Sequence, residues 1–276
     1  MQGMHNLLSV SAIAAGAPGA AGRVAIEVVD RTASTNADLL ARLGQLSQPT
    51  LLAAESQTAG RGRAGRAWLS CDGGSLTFSL AWPLQRTIRE LAGLPLAVGV
   101  ALAETLGACK VPVRLKWPND LLLDDAKLGG ILIETALDRN GSQRVWAVIG
   151  IGMNLAGPED LARQIGRPVA ALPAGLAQDR NRLLGTLLDG LDGALRQFER
   201  EGFAAFCDRW NALHAWVGKD VSILDHGRVI LEGVAAGVDA QGQLLLDTAA
   251  GLMPVLAGDV SLRMNENGSE QHAVAG

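Results

Sequence analysis

Between Val111 and Ile151 four strand-like runs, Val111 to Lys116, Leu121 to Leu123, Gly130 to Glu134 and Arg144 to Ile151, follow one another with little but turn residues between them. Asn119-Asp120, Asp124-Asp125 and Asn140-Gly141 mark those turns, and such meander spacing builds an antiparallel sheet. Upstream, Val24 to Val29, Thr50 to Glu55 and Ser75 to Trp82 also read as strands. Thr35-Asn36-Ala37-Asp38 resembles a capping box that opens a short helix to Leu43. Further helices are expected at Leu94 to Ala108, with Pro95 tolerated in the first turn, at Asp179 to Arg200, and at Phe203 to Leu213. In the second of these Leu184, Leu188, Leu191, Leu195 and Phe198 mark one face. The fold class is therefore α+β, a mixed and largely antiparallel sheet with flanking helices.

After Gly218 the pattern changes to short strands, Val221 to Leu224, Val229 to Val238, Leu244 to Asp247 and Met253 to Leu256, which suggests a small C-terminal β barrel. A polar tail begins at Asn265. At 276 residues the chain is long enough for one large domain or for a large one plus a small one, and with no Tyr and 4 Phe its core must be aliphatic. Cys71, Cys109 and Cys207 are odd in number and widely spaced, which points to a reducing compartment; none has a catalytic setting. His5, His214, His226 and His272 show no metal-ligand spacing. Leu7 to Ala15 is apolar, but Met1 to Asn6 carries no Lys or Arg, so the segment does not read as a signal peptide. The nearest approach to a membrane span, Ala92 to Ala103, is stopped by Glu104.

Gly60 to Trp68 reads GRGRAGRAW. Three glycines let backbone N–H groups approach a ligand, and three guanidiniums supply permanent planar donors for carboxylate and phosphate. The run matches the dinucleotide fingerprint letter for letter, yet no strand leads straight into Gly60, no helix follows, and no acid stands at the right distance. A net charge of −4 argues against a nucleic-acid arm. A small anionic ligand and a plain flexible surface loop remain as readings.

Only four of the 24 basic residues are lysines, Lys110, Lys116, Lys127 and Lys219. Two of them fall in distinctive runs. Lys116-Trp117-Pro118-Asn119-Asp120 offers a point charge for phosphate, an amide, and a carboxylate for Mg²⁺. Lys127-Leu128-Gly129-Gly130 would let a ligand lie against a strand edge, and Gly150-Ile151-Gly152-Met153-Asn154 suits a cavity floor.

Taken together, Ser34-Thr35-Asn36, Gln57-Thr58-Ala59 before GRGRAGRAW, KWPND, KLGGIL at Lys127 to Leu132 and GIGMNL at Gly150 to Leu155 resemble the bacterial biotin protein ligases, in order and spacing, from Val24 to Arg263. The resemblance implies a core like that of class II aminoacyl-tRNA synthetases in residues 23–216 and an SH3-like barrel in 217–264, between an N-terminal extension (1–22) and a flexible tail (265–276). It implies an ATP-dependent enzyme that forms biotinyl-5′-AMP and passes biotin to a lysine of a biotin carboxyl carrier domain.

By the family pattern, Ser34, Thr35, Asn36, Gln57, Gly60, Arg61, Gly62, Arg63, Lys127, Gly130 and Ile131 would hold biotin. Arg63, Arg66, Trp68, Lys116, Asn119, Asp120 and Asn154 would serve ATP, with Asp120 the Mg²⁺ ligand and Lys127 and Arg63 the catalytic cations. The loop would be a lid that keeps water from the mixed anhydride. Members that also repress transcription carry an N-terminal winged helix-turn-helix of about 60 residues. Here 33 residues precede Ser34, so operator binding is not expected. A cytoplasmic monomer or homodimer, without nucleic acid or membrane partners, completes the expectation. No Arg-Arg-x-Ser-Gly-Gly run of the lipoate ligases is present.

Overall fold

The computed structural model describes residues 7–70, 73–138, 144–156, 162, 169–258 and 260–265. Cys71, the Asn140-Gly141 turn, His5 and His272 lie outside them. A seven-stranded sheet is built from β1 (Ala25–Thr32), β2 (Thr50–Gln57), β3 (Ser75–Leu84), β4 (Arg114–Lys116), β5 (Asp120–Leu123), β6 (Ala126–Leu137) and β7 (Val145–Asn154). The spatial order is β1-β2-β3-β7-β6-β5-β4, with β1 and β2 parallel and every other pair antiparallel. The meander from β4 to β7 is thus one continuous half of the sheet.

Helix α1 (Val10–Ala15) precedes β1, and α2 (Thr35–Ala41) joins β1 to β2. Helix α3 (Leu94–Ala108) follows β3, and α4 (Ala174–Ala177), α5 (Arg180–Glu201) and α6 (Cys207–Leu213) follow β7. The leucines at 184, 188, 191 and 195 are fully buried or nearly so, because the 3.6-residue period puts them on the face of α5 that packs against α3. On the other face of the sheet Leu39 and Leu43 pack on Leu52, Ala81, Trp146 and Val148. The α3 region is longer and more apolar than the run Ala92 to Ala103 indicated: Ile88–Ala108 has the length and mean hydropathy, 1.6, of a membrane span. Its side chains are spent on the protein core, where 67% of that window is buried.

Several local readings shift for identifiable reasons. The cap of α2 is Ser34, whose Oγ accepts from Ala37 N at 3.4 Å, one residue earlier than the Thr35 box. β4 loses Val111 to Val113 to a tight turn about Pro112, in which Val113 N donates to Val111 O at 2.9 Å. Phe203 to Leu213 divides into a 3₁₀ turn, Phe203–Phe206, and α6. Helix α1 has no counterpart among the sequence expectations. Gly185 admits it so closely that a Cβ there would lie 2.5 Å from Ile13 O.

The second sheet contains β8 (Asp220–Asp225), β9 (Arg228–Val238), β10 (Leu244–Thr248), β11 (Gly251–Val255) and β12 (Ser261–Met264), ordered β11-β10-β9-β8-β12. The sequence pattern does not show β12. Asn211 of α6 fixes this sheet to the helical layer by a two-way pair with Val238, whose N–H donates to Asn211 Oδ1 (2.8 Å) and whose carbonyl accepts from Nδ2 (3.1 Å). Trp117 Nε1 adds a bond to Gly242 O at 3.3 Å.

Candidate active site

One cavity of about 550 Å³ lies where the C-terminal ends of β2 and β7 and the first half of β6 meet the start of α2 and the edge of the second sheet. Ser34, Thr35, Asn36, Gln57, Arg61, Gly62, Arg63, Arg66 and Trp68 line it, as do Lys116, Asn119, Asp120, Lys127, Gly130, Ile131 and Asn154. Of the site residues named from the sequence, Gly60 alone is not in the wall. Its role is at the base of the loop, where Trp68 N donates to its carbonyl at 2.9 Å and a Cβ would lie 2.6 Å from Trp68 O.

The floor is a buried polar patch. Because Ser34 caps α2, Thr35 and Asn36 occupy its first turn and project toward β3. Gln57 Oε1 accepts from Thr35 N at 2.8 Å and Thr35 Oγ1 at 3.1 Å, while Ser79 Oγ donates to Asn36 Oδ1 at 2.6 Å. Two glycines of β7 make room: a Cβ at Gly150 would lie 2.4 Å from Asn36 Oδ1, and one at Gly152 would lie 2.3 Å from Trp68 Cε2. The Trp68 indole therefore rests directly on backbone, and its buried Nε1 has no hydrogen-bond partner. Such an orphaned donor suits a ligand acceptor.

The opposite end is ionic. The β5–β6 hairpin brings Lys127 Nζ to Asp120 Oδ1, and Lys116 Nζ stands 3.9 Å from Oδ2 of the same carboxylate. Lys116 is held from the other side by the face of Trp216, 4.4 Å from the ring centroid. Asn119 is fixed by a mutual pair with Ile131, N to O at 3.0 Å and Nδ2 to O at 2.8 Å. Asn154 donates to Lys127 O and Ala170 O, while its buried Oδ1 has no partner.

Arg63 reaches across from the loop. It donates to Asn119 Oδ1 at 3.1 Å and to the carbonyls of Gly258 and Val260 in the second sheet's last connection. Among the described residues, six cations, Arg61, Arg63, Arg66, Lys116, Lys127 and Arg263, face this cavity against one carboxylate, Asp120. The wall is built for an anion. Among the described residues no three His, Cys, Asp or Glu side chains converge, so a divalent cation here would have Asp120 as its carboxylate and would need ligand phosphate and water for the rest. That donor set fits Mg²⁺ arriving with a nucleotide.

Sequence reasoning missed Ser79, Glu134 and the contribution of Val260 to Arg263. Thr77 and Ser79 were a possible signal, two hydroxyls alternating on one face of an otherwise apolar strand. His214, by contrast, is fully buried against Trp210, neither ring nitrogen is hydrogen-bonded, and burial followed by the nearby Arg114 charge lowers its pKa to about 4. Burial also raises the Cys207 thiol, consistent with an inert sulfur.

Residues 26–154 match the Biotin/lipoate A/B protein ligase family, and residues 217–263 match the Biotin protein ligase C terminal domain. A biotin--[acetyl-CoA-carboxylase] ligase of Mycobacterium tuberculosis is 34% identical over 85% of this chain and 88% of its own. The chain belongs to the biotin protein ligases. The Bifunctional ligase/repressor BirA of Salmonella typhimurium is 39% identical over 89% of this chain and 76% of its own length. Among solved structures, the family's Aquifex aeolicus member in complex with biotin and ATP superposes with a TM-score of 0.68 at 28% identity, covering 87% of this chain and 99% of that one. The C-terminal sheet is thus the family's C-terminal domain.

Proposed function

We propose that the chain activates biotin with ATP and transfers it to a lysine of a biotin carboxyl carrier domain. The observation that carries this reading is the joining, in one cavity, of a neutral polar floor to a cationic end through the Gly/Arg loop. A ligand with an uncharged ring system and a carboxylate would place the ring among Ser34, Thr35, Asn36 and Gln57, beside Gly130 and Ile131. Its carboxylate would then meet Arg61, Arg63 and Lys127.

One carboxylate oxygen attacks the α-phosphorus of ATP, the bond to the β-phosphate oxygen breaks, and pyrophosphate leaves. Lys127 and Arg63 offset the repulsion between the two anions and the charge that develops at phosphorus. Lys116, Asn119, Arg66, Trp68 and Asn154 hold the nucleotide, and Asp120 would hold a Mg²⁺ that screens its phosphates. In the second step the acceptor lysine's amine attacks the acyl carbon, an amide forms and AMP departs. Closure of residues 60–68 keeps water from the anhydride meanwhile. A cytoplasmic setting, and no nucleic-acid partner for a chain of net charge −4, complete the reading.

The test is biotin-dependent exchange of labelled pyrophosphate into ATP, followed by mass-detected biotin transfer to a purified carrier domain. Folded protein that exchanges nothing refutes the reading. Exchange that persists undiminished in excess chelator removes the assignment of Mg²⁺ to Asp120.

A further inference from the structure

A chain of polar contacts leads out of the cavity floor to a carboxylate that is not itself in the wall. Thr35 Oγ1 lies 3.1 Å from Gln57 Oε1 and 2.6 Å from Ser79 Oγ, and Ser79 Oγ lies 2.6 Å from Asn36 Oδ1. Asn36 Nδ2 donates to Glu134 Oε2 at 2.9 Å, and the same oxygen accepts from Arg61 Nη2 at 2.9 Å. Two hydroxyls bring two protons to three of these contacts, so the hydroxyls alone do not fix which way the chain points. The carboxylate does: it can only accept, so the Asn36 amide must turn its NH₂ to Glu134 and its oxygen to Ser79.

Arg61 belongs to the loop, Asn36 to the floor, and Glu134 to β6, a strand held by β7 along its length. The side chains of Arg61 and Glu134 are 47% and 28% exposed, so their pair is weak enough to open for ligand exchange. We propose that Glu134 is a positioning residue that couples the seating of the floor to the closing of the loop. One oxygen atom orients Asn36 for the ligand ring and draws Arg61, with residues 60–68, down over it. The proposal rests on the biotin ligase reading given above.

The test is hydrogen–deuterium exchange of residues 58–70 with and without saturating biotin, in the wild-type chain and in Glu134→Gln. In the Glu134→Gln variant a neutral amide oxygen takes the place of the shared anion, so Asn36 and Arg61 keep an acceptor but lose its charge. Wild-type exchange should slow by about tenfold with biotin, whereas Glu134→Gln should bind biotin about tenfold more weakly and lose most of the slowing even when saturated, with ATP affinity unchanged. Glu134→Asp, which keeps the charge, should recover part of it. A merely structural role would not move loop exchange at saturation.

Equal slowing in Glu134→Gln overturns the coupling and leaves the ligase reading intact. A wild-type chain that neither binds biotin nor slows its exchange overturns both. Should the variant fail to fold, about 1 M salt applied to the wild-type chain screens the half-exposed pair and should diminish the slowing; insensitivity to salt refutes the proposal.

Discussion

Lys127 and Asp120 meet across the β5–β6 hairpin, and Lys116 approaches the other oxygen of the same carboxylate. The two lysines therefore share one anchor while standing at different ends of the ionic patch. Lys127 lies beside Gly130, where a Cβ would be 3.3 Å from its Nζ, and Lys116 lies against Trp216. Lys127→Ala should lower pyrophosphate exchange by about 100-fold with little change in ATP affinity, whereas Lys116→Ala should mainly weaken ATP. Titration calorimetry with ATP alongside the exchange assay separates these, and equal losses of ATP affinity contradict the division.

The two glycines of β7 should divide the substrates. At Gly150 an added methyl collides with Asn36, so Gly150→Ala should raise the KM for biotin by about tenfold or more, displacement of a positioning group being costly. At Gly152 it collides with Trp68, so Gly152→Ala should act on ATP and on retention of the adenylate. Steady-state kinetics with each substrate varied in turn decide the matter, and indistinguishable profiles count against the assignment.

His214 makes stability depend on pH. Its folded value of about 4 lies below the usual 6.5, so between those values the unfolded chain binds a proton that the folded chain does not. The stability conferred by burying the neutral ring is complete above pH 6.5 and is lost as the pH falls toward 4, by about 2 kcal/mol near pH 5. Neither ring nitrogen is hydrogen-bonded, so His214→Leu sacrifices no such bond and should flatten that slope. Urea midpoints measured across the range test it; an unchanged slope in the variant assigns the pH dependence elsewhere.

The segment before β1 should stabilise the fold. Glu55 accepts from Arg180, which is 2% exposed, and from Leu8 N, while Asn181 bridges Ser9 N and Leu7 O. Glu55→Ala leaves a buried guanidinium without this partner and should cost about 3 kcal/mol. A calorimetric melt displaced by less than a degree would show that the strap contributes nothing.

The fold was legible where local pattern decides structure. The leucine period of α5, the Asp124-Asp125 turn of the meander and Pro95 in the first turn of α3 act within a few residues of themselves. What escaped depended on distant partners. Helix α1 exists because Gly185 makes space for it, and β12 is a four-residue strand whose pairing with β8 lies about 40 residues upstream. For the same reason Glu134, an ordinary strand residue in sequence, gains its place only when α2 is laid across β3 and β7 and Asn36 reaches over to β6. The approach of Val260 to Arg63 is likewise a property of the second sheet docked on α6 and the β4–β5 turn through Asn211 and Trp117.

A chain without tyrosine owes its near-ultraviolet emission to six indoles, and five of them, Trp82, Trp117, Trp146, Trp210 and Trp216, are anchored in secondary structure or at the joint between sheets. The sixth, Trp68, rests on bare backbone at Gly152 with its nitrogen unsatisfied. The molecule thus carries its own optical reporter: whatever fills the cavity and engages that nitrogen, or lifts the ring from its glycine seat, changes the emission of an indole in the cavity wall.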